Sequence, residues 1–404
     1  MDGKSCLQFP MSFSFVEGDD MKRCQRVLRT VCCTAFLIFC VSVASLSEIS
    51  KTFASTNIDV PVSKALNFLR DTQQSDGGIS SFVTSSWAVM AIAAAGEDPH
   101  SWKGSGGKSI VDYLLANRGS LDLDKALDVA RFILAITAAD EDPRNIDGVN
   151  YVQALEDLFD GQIGEEAWVN DDFWAVLALI SAGEAATSTV VHESVEFIKA
   201  HQNADGGWGW GRRGVTASDV DDTAAAIMAL VSAGEDSSSE VIENAVQYLR
   251  DNQQPNGGFT SWGVTNSNSD SWAMGAIVSV GQHPVQWPVS GTNVIEHLLS
   301  LQNEDGSFER TSDDPPGIDK AWNTAYAIVS LCLTPYPVNI PPPPIRGDFD
   351  GDDDIDSEDV TSFINAYTEY QQGVLDSYAD FDKDGDIDYG DIIAFVDTYI
   401  AYRS

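Results

Sequence analysis

Four stretches of the chain repeat one local grammar: LNFLRDTQQSDGGISSF, VEFIKAHQNADGGWGWG, VQYLRDNQQPNGGFTSWG and IEHLLSLQNEDGSFE. In each, an amphipathic run leads into glutamine, then Asp/Asn-Gly-Gly (Gly-Ser in the last), then usually an aromatic residue. A second run follows each, small and apolar nearly all round: SSWAVMAIAAAGEDP, DTAAAIMALVSAGED, DSWAMGAIVSVGQHP and NTAYAIVSLCL. Two degenerate copies lie between the first and second, beginning IVDYLLANRG and YVQALEDLFD. Six helix pairs at a period of about 45 residues are the signature of a repeat architecture. The first helix of each pair has one wet face and belongs outside, whereas the second is apolar on every face and belongs inside. Glycine after the first helix permits the left-handed cap that ends it and lets the chain turn sharply inward. The expected fold is therefore all-α: an α6/α6 toroid over residues 60–335 with the second helices lining its centre.

The Gln…Asp-Gly-Gly-Trp turns resemble the repeats of the terpene cyclase and protein prenyltransferase superfamily, which uses this toroid. Within that superfamily, Asp219-Val220-Asp221-Asp222-Thr223-Ala224 resembles the Asp-x-Asp-Asp-Thr-Ala motif of squalene–hopene-type class II cyclases. The resemblance implies that Asp221 is the proton donor to an alkene, with Asp219 and Asp222 as supporting carboxylates. The chemistry suits the residues, because carboxyls crowded at the dry end of a cavity cannot all ionise. Trp87, Trp174, Trp272 and Trp322, near the starts of other inner helices, offer π-faces to a carbocation. A plainer reading of the same residues stands beside this one. Ser, Thr, Asp and Asn at the other inner-helix starts are ordinary caps, and on that reading Asp222 is a cap too. The resemblance departs from the cyclase pattern in offering one helical domain where those enzymes build their site between two. A protein prenyltransferase needs an Asp/Cys/His zinc set, and Cys332 is the sole thiol in the toroid. The five histidines show no metal spacing.

Beyond the toroid, residues 336–345 form a proline-rich linker, with four consecutive prolines favouring an extended spacer. The chain carries 62 acidic and 23 basic side chains, a formal charge of −39, with no basic stripe to track phosphates. The acid concentrates in residues 346–404, where DFDGDDDIDSED and DFDKDGDIDYGD form two twelve-residue loops. Oxygen ligands at alternate positions suit calcium. The first loop offers Asp348, Asp350, Asp352, Asp354 and Asp359, the second Asp380, Asp382, Asp384, Asp386 and Asp391, giving two expected Ca2+ sites. Asp353 replaces the usual turn glycine in the first loop, whereas Gly385 is present in the second. Loops ending in Asp, each followed by one helix, resemble type I dockerin modules. That resemblance implies a cohesin partner on a scaffold or surface protein, chosen through Ser357, Glu358, Tyr389 and Gly390.

At the other end, residues 1–20 match no pattern. Residues 21–44 read as a signal peptide: basic MKRCQRVLR, apolar TVCCTAFLIFCVSV and a small-residue cleavage site. An uncleaved anchor is the alternative. Residues 45–59 link this segment to the toroid, and Cys332 is the one cysteine beyond it, so no internal disulfide is expected in the mature chain. The functional expectation is an exported, calcium-dependent assembly protein whose dockerin binds a cohesin while the toroid binds a ligand or partner. The alternative is an exported enzyme, either class II terpene-cyclase-like through Asp221 or polysaccharide-degrading. The polysaccharide version rests on Asp171, Asp172, Asp221, Asp222 and Asp270 converging as paired carboxylates.

Overall fold

The computed structural model describes residues 58–260, 263–312 and 319–340, with Asp359, Phe363 and Ala394 further on. These residues belong to the unit Asn57–Ser404; the unit Met1–Thr56 lies outside the described residues. The signal segment, and both acidic loops apart from Asp359, also lie outside them. Among the described residues the long elements are twelve α-helices. In chain order they are α1 (Asp59–Thr72), α2 (Phe82–Ala94), α3 (Ile110–Asn117), α4 (Ala126–Ala138), α5 (Tyr151–Glu156) and α6 (Asn170–Ser181). They continue as α7 (Thr189–Ala200), α8 (Val220–Ser232), α9 (Glu240–Asn252), α10 (Ser267–Ser279), α11 (Val294–Ser300) and α12 (Lys320–Leu331).

Each even-numbered helix packs against the next, and α12 packs back against α2, so the small apolar helices close a ring. The odd-numbered helices sit outside: α1 packs on α12, α3 on α2, α5 on α4, α7 on α6, α9 on α8 and α11 on α10. Their sequences dictate this layering. In α9 the buried residues Ile242, Ala245, Tyr248 and Leu249 form a single stripe, whereas α8 buries Val220 and every residue from Thr223 to Leu230. A helix wet on one side cannot enter the ring without stranding its charges, and a helix apolar all round cannot leave it.

The repeated Gln…Asp-Gly-Gly phrase is the joint between successive pairs. Gln202 donates to the carbonyl of Gly206 in its own turn (2.8 Å) and to that of Val241 in the next outer helix (2.8 Å). Gln253 bonds Gly257 and Trp287 in the same way, and Gln73 bonds Gly77 and Trp102. The first glycine of each turn has positive φ, +88° at Gly206 and +90° at Gly306, and lies flat on the neighbouring backbone. A Cβ at Gly206 would stand 2.4 Å from the carbonyl oxygen of Asn244, a distance no real side chain tolerates. The preceding Asp or Asn closes the turn: Asp205 accepts from the Gly207 N–H at 3.1 Å.

The same joint seals the ring. Gln302, in the last turn, donates to the carbonyl of Pro61 in α1 at 2.8 Å, and Gly306 lies on the backbone of Lys64. Asp319 caps α12 by accepting from the Ala321 N–H, and its other oxygen accepts from the hydroxyls of Ser80 and Thr84, each at 2.7 Å. The first and last pairs therefore meet through the same glutamine contacts that join the first, fourth and fifth pairs to their successors. No helix among the described residues is long and apolar enough to cross a membrane.

Candidate functional site

One position on the inner helices is structural, and it is held by different residue types. The backbone N–H of the residue that ends each turn donates to a side-chain oxygen on the following inner helix, pinning turn to helix. Ile79 donates to Ser85 Oγ (2.9 Å), Ile163 to Asp172 Oδ1 (3.0 Å) and Trp208 to Thr223 Oγ1 (2.9 Å). Phe259 donates to Asp270 Oδ1 (2.7 Å) and Phe308 to Thr324 Oγ1 (2.9 Å). A buried N–H without an acceptor costs about 1–3 kcal/mol, so on these five inner helices the position carries an oxygen.

This assignment removes two carboxylates from the catalytic candidates. Asp172 and Asp270 are pins, tied to their turns at the helix starts. Asp171 is likewise held by the turn, accepting from the Glu165 N–H at 3.0 Å. Asp270 is also bonded through Oδ2 to His297 Nδ1 at 2.6 Å, both side chains being buried. Burial pushes Asp171 and Asp270 up to about 6 and Asp172 up to about 7. Asp171, Asp172 and Asp270 are thus each held by the turn before their helix.

In α8 the pin is Thr223, so the carboxylates before it are not needed for that task. Asp219 caps the helix: its Oδ1 accepts from the Asp222 N–H at 2.9 Å. The cap is thus Asp219, not Asp222 as the plainer reading of the sequence had it. Asp222 keeps part of its surface exposed, yet protein crowds its carboxyl. Burial, the charge of Asp219, a hydrogen bond shared with Asp219 and the charge of Asp221 together push Asp222 well above the carboxylate range. Asp221, two residues before the pin, lies near enough to the Tyr326 phenol for its charge to act on it. The sequence motif therefore folds into three different stations: a cap, a carboxyl that favours its proton, and a third acid close enough to act on the Tyr326 phenol.

The centre of the ring is aromatic. Two residues beyond the pins stand Trp87, Trp174, Trp272 and Tyr326, with Ala225 in the corresponding place on α8. Ring centroids are 4.9 Å apart for Trp87–Tyr326, 5.5 Å for Trp87–Trp174, 5.2 Å for Trp174–Trp272 and 5.2 Å for Trp272–Tyr326. Trp322 joins from nearer the helix starts, 6.1 Å from Tyr326. The four tryptophans named from the sequence thus meet in one aromatic cluster.

Tyr336 was not anticipated, because it stands in the stretch assigned to the proline-rich linker. It enters the cluster 5.7 Å from Trp87 and 5.2 Å from Trp272, while Asn339 donates to the Ser181 carbonyl at the end of α6. Segment 333–340 thus runs from the end of α12 to the end of α6, across the mouth formed by the inner-helix C-termini. Cys332, at its start, is partly buried, and burial pushes its thiol up to about 12, which suits an inert packing residue. Among the described residues no group of three or more His, Cys, Asp or Glu side chains is placed to hold a metal ion. The expected Ca2+ ligands and the partner-selecting residues lie outside the described residues, save Asp359, which is buried.

With this geometry in place, the matches to known proteins are informative. The family model of the squalene-hopene cyclase C-terminal domain matches two overlapping segments, residues 130–266 and 175–338, which together take in just over half of the chain. The chain belongs to that family. The prenyltransferase alpha-alpha toroid domain matches residues 12–94. A curated relative, drimenyl diphosphate synthase of Streptomyces showdoensis, is 30% identical over 171 residues, 41% of this chain and 31% of that protein. The chain thus aligns with about a third of that relative's length. Among solved structures the chain is similar to the type II terpene cyclase MstE from Scytonema, with TM-score 0.48 and 14% identity over 68% of this chain and 97% of that one. It is also similar to ent-copalyl diphosphate synthase from Streptomyces platensis, with TM-score 0.44 and 13% identity over 62% and 50%.

The family assignment corrects one expectation. A calcium-dependent assembly protein that binds a cohesin is not what this ring is built for; its repeats and its matched family are those of cyclases. The complete Asp-x-Asp-Asp-Thr-Ala match inside the ring is the sequence feature that agrees with this family.

Proposed function

We propose that the chain is an enzyme that protonates an isoprenoid double bond at the Asp219–Asp222 cluster. The observation that carries this reading is the crowding of acid at the start of α8: Thr223 takes the pin and Asp219 the cap, and the charges of Asp219 and Asp221, with burial, raise Asp222 well above the carboxylate range. Asp222 shares a proton with Asp219, and Asp221 presents the acid to the ring. A proton passes from the carboxyl to one alkene carbon, the π pair forming the new C–H bond and leaving a cation on the other carbon. The faces of Trp87, Trp174, Trp272 and Tyr326 stabilise that cation. An intramolecular alkene then attacks it, and loss of a proton ends the sequence. The aromatic cluster at the centre implies that aromatic side chains and segment 333–340 shift to admit substrate.

The twelve described helices are taken as the complete ring, six pairs in all. Export is supported by the basic-then-apolar segment 21–44, and calcium in the two acidic loops by their alternate aspartates. Isothermal titration of calcium into the full chain, compared with Asp380→Ala/Asp384→Ala, tests the second loop; equal binding by both would remove that site.

The test of the activity is a product assay. The full chain is incubated with linear polyprenes, squalene and farnesol among them, beside Asp221→Asn, and extracts are read by gas chromatography–mass spectrometry. Cyclised products from the parent alone support the reading. Equal products from both proteins, or none from a folded parent across the panel, count against it.

A further inference from the structure

The centre of the ring contains buried hydrogen-bond donors that bond nothing. The indole Nε1 of Trp87, the hydroxyl of Tyr336 and the Nε of Arg131 are all shielded from solvent and have no partner. Trp87 and Tyr336 are 3% and 6% exposed, so solvent does not satisfy them. An orphaned buried donor is expensive in a folded protein, and two aromatic donors facing one another are rarer than one.

The three belong to one neighbourhood. The Trp87 and Tyr336 rings are 5.7 Å apart. The Tyr326 ring is 4.9 Å from Trp87, and its phenol feels the charge of Arg131. The Tyr336 phenol in turn feels Tyr326. The Trp87 and Tyr336 rings thus meet beside Tyr326, and both carry an unpartnered donor in this aromatic centre, with the Arg131 charge within reach of the same phenol.

Charge decides what those donors accept. Arg131 already pairs with Asp128 on its own helix, so its cation is neutralised before any ligand arrives. Two residues before the pins of α6 and α10, the orphaned atoms are oxygens, Oδ1 of Asn170 and Oδ1 of Asn268. Amide oxygens and a compensated cation leave no free positive charge to balance a diphosphate but suit an uncharged oxygen, which accepts from the donors and, as a hydroxyl, donates to an amide oxygen.

We propose that the ring centre binds the neutral oxygen function of an isoprenoid alcohol or similar molecule, through Trp87 Nε1, Tyr336 Oη and Arg131 Nε, and that it discriminates against diphosphates. This deepens the proposed function by naming the substrate class, and it rests on that reading for the reaction but not for the binding. Arg131, Trp87 and Tyr336 act as recognition residues; the proton still comes from the carboxylate cluster.

Binding is measured by quenching of tryptophan fluorescence in the full chain and in Asp221→Asn, titrated with farnesol, the hydrocarbon farnesene and farnesyl diphosphate. Farnesol is expected to bind about tenfold more tightly than either of the others, the effect of one to two satisfied hydrogen bonds. Tyr336→Phe keeps the ring and removes the hydroxyl; it should bring farnesol within about threefold of farnesene while leaving farnesene affinity unchanged. Trp87→Phe provides the second variant, with the same expected loss, and near-ultraviolet circular dichroism confirms the fold of both. Equal affinity for farnesol and farnesene would mean that water alone satisfies the donors, and tighter binding of farnesyl diphosphate would mean that the charge argument is wrong; either result overturns the proposal. Because Asp221→Asn is assayed for binding alone, farnesol preference without cyclised product would sink the acid reading and keep this one, and product without farnesol preference would do the reverse.

Discussion

Helices α8 and α10 begin with the same kind of sequence, acid among small polar residues, and put it to opposite uses. In α10 the carboxylate is the pin: Asp270 holds the Phe259 N–H and is itself held by His297, deep in the fold. In α8 a threonine hydroxyl does that work, and Asp221 and Asp222 stand ahead of it, one acting on the ring centre and the other crowded by Asp219. The difference teaches that acid at an inner-helix start says little about chemistry until one knows which oxygen receives the turn. A carboxylate with two strong partners is fixed; where a hydroxyl makes the pin instead, neighbouring carboxyls crowd one another and raise each other's affinity for a proton.

Substitutions separate the two helices most sharply. Asp221→Asn is expected to abolish cyclised product, a loss of at least about a thousandfold if the carboxyl is the proton donor, with the unfolding midpoint unchanged. Asp270→Ala should do the opposite. It strands buried His297 and the Phe259 N–H, costing about 3–5 kcal/mol in urea unfolding. If Asp270→Ala were neutral to stability, the pin assignment would fail.

The turns offer a second break. Gly306→Ala forces a side chain into the backbone of Lys64 at positive φ, on the seam that closes the ring. A loss of more than about 2 kcal/mol is expected, seen as a lowered melting temperature, against about 1 kcal/mol for Thr223→Val, which removes only a hydroxyl pin.

A smaller effect concerns pH. Asp172 titrates near 7 in the fold and near 3.9 when unfolded, so between those values the native state binds more protons than the unfolded chain. Stability from this group therefore rises as pH falls from about 7 towards 4 and is lost as pH rises through 7. Urea unfolding of the parent and Asp172→Asn at pH 5 and pH 8 should show the parent losing more stability at pH 8 than the variant does. Parallel behaviour would mean that Asp172 is not the buried acid described here.

Much of this architecture is legible in the chain itself. Alanine-rich inner runs, amphipathic outer runs and the Gln…Asp-Gly-Gly joints lead directly to the toroid, because each residue type has only one layer in which it satisfies its polar groups. The pins are not legible, for a physical reason: they lie 6, 9, 15, 11 and 16 residues beyond the turn residues that bond them, so no fixed spacing marks them. That is why Asp171, Asp172 and Asp270 looked like cavity carboxylates and Asp222 like a cap. Tyr336 was hidden for another reason. A tyrosine between prolines reads as spacer, and only the path of segment 333–340 across the ring turns it inward. The orphaned donors of Trp87 and Arg131 leave no sequence signal, since what distinguishes them is the absence of a partner in three dimensions.

In α8, burial and two acidic neighbours favour a proton on the Asp222 carboxyl. Infrared difference spectra between the parent and Asp222→Asn, recorded at pH 7, read that proton directly. A protonated-carboxyl stretch present in the parent, shifted by deuterium and missing from the variant, is the predicted result. Spectra showing only ionised carboxylate at this position would contradict it and leave the three aspartates as a helix start with surplus charge.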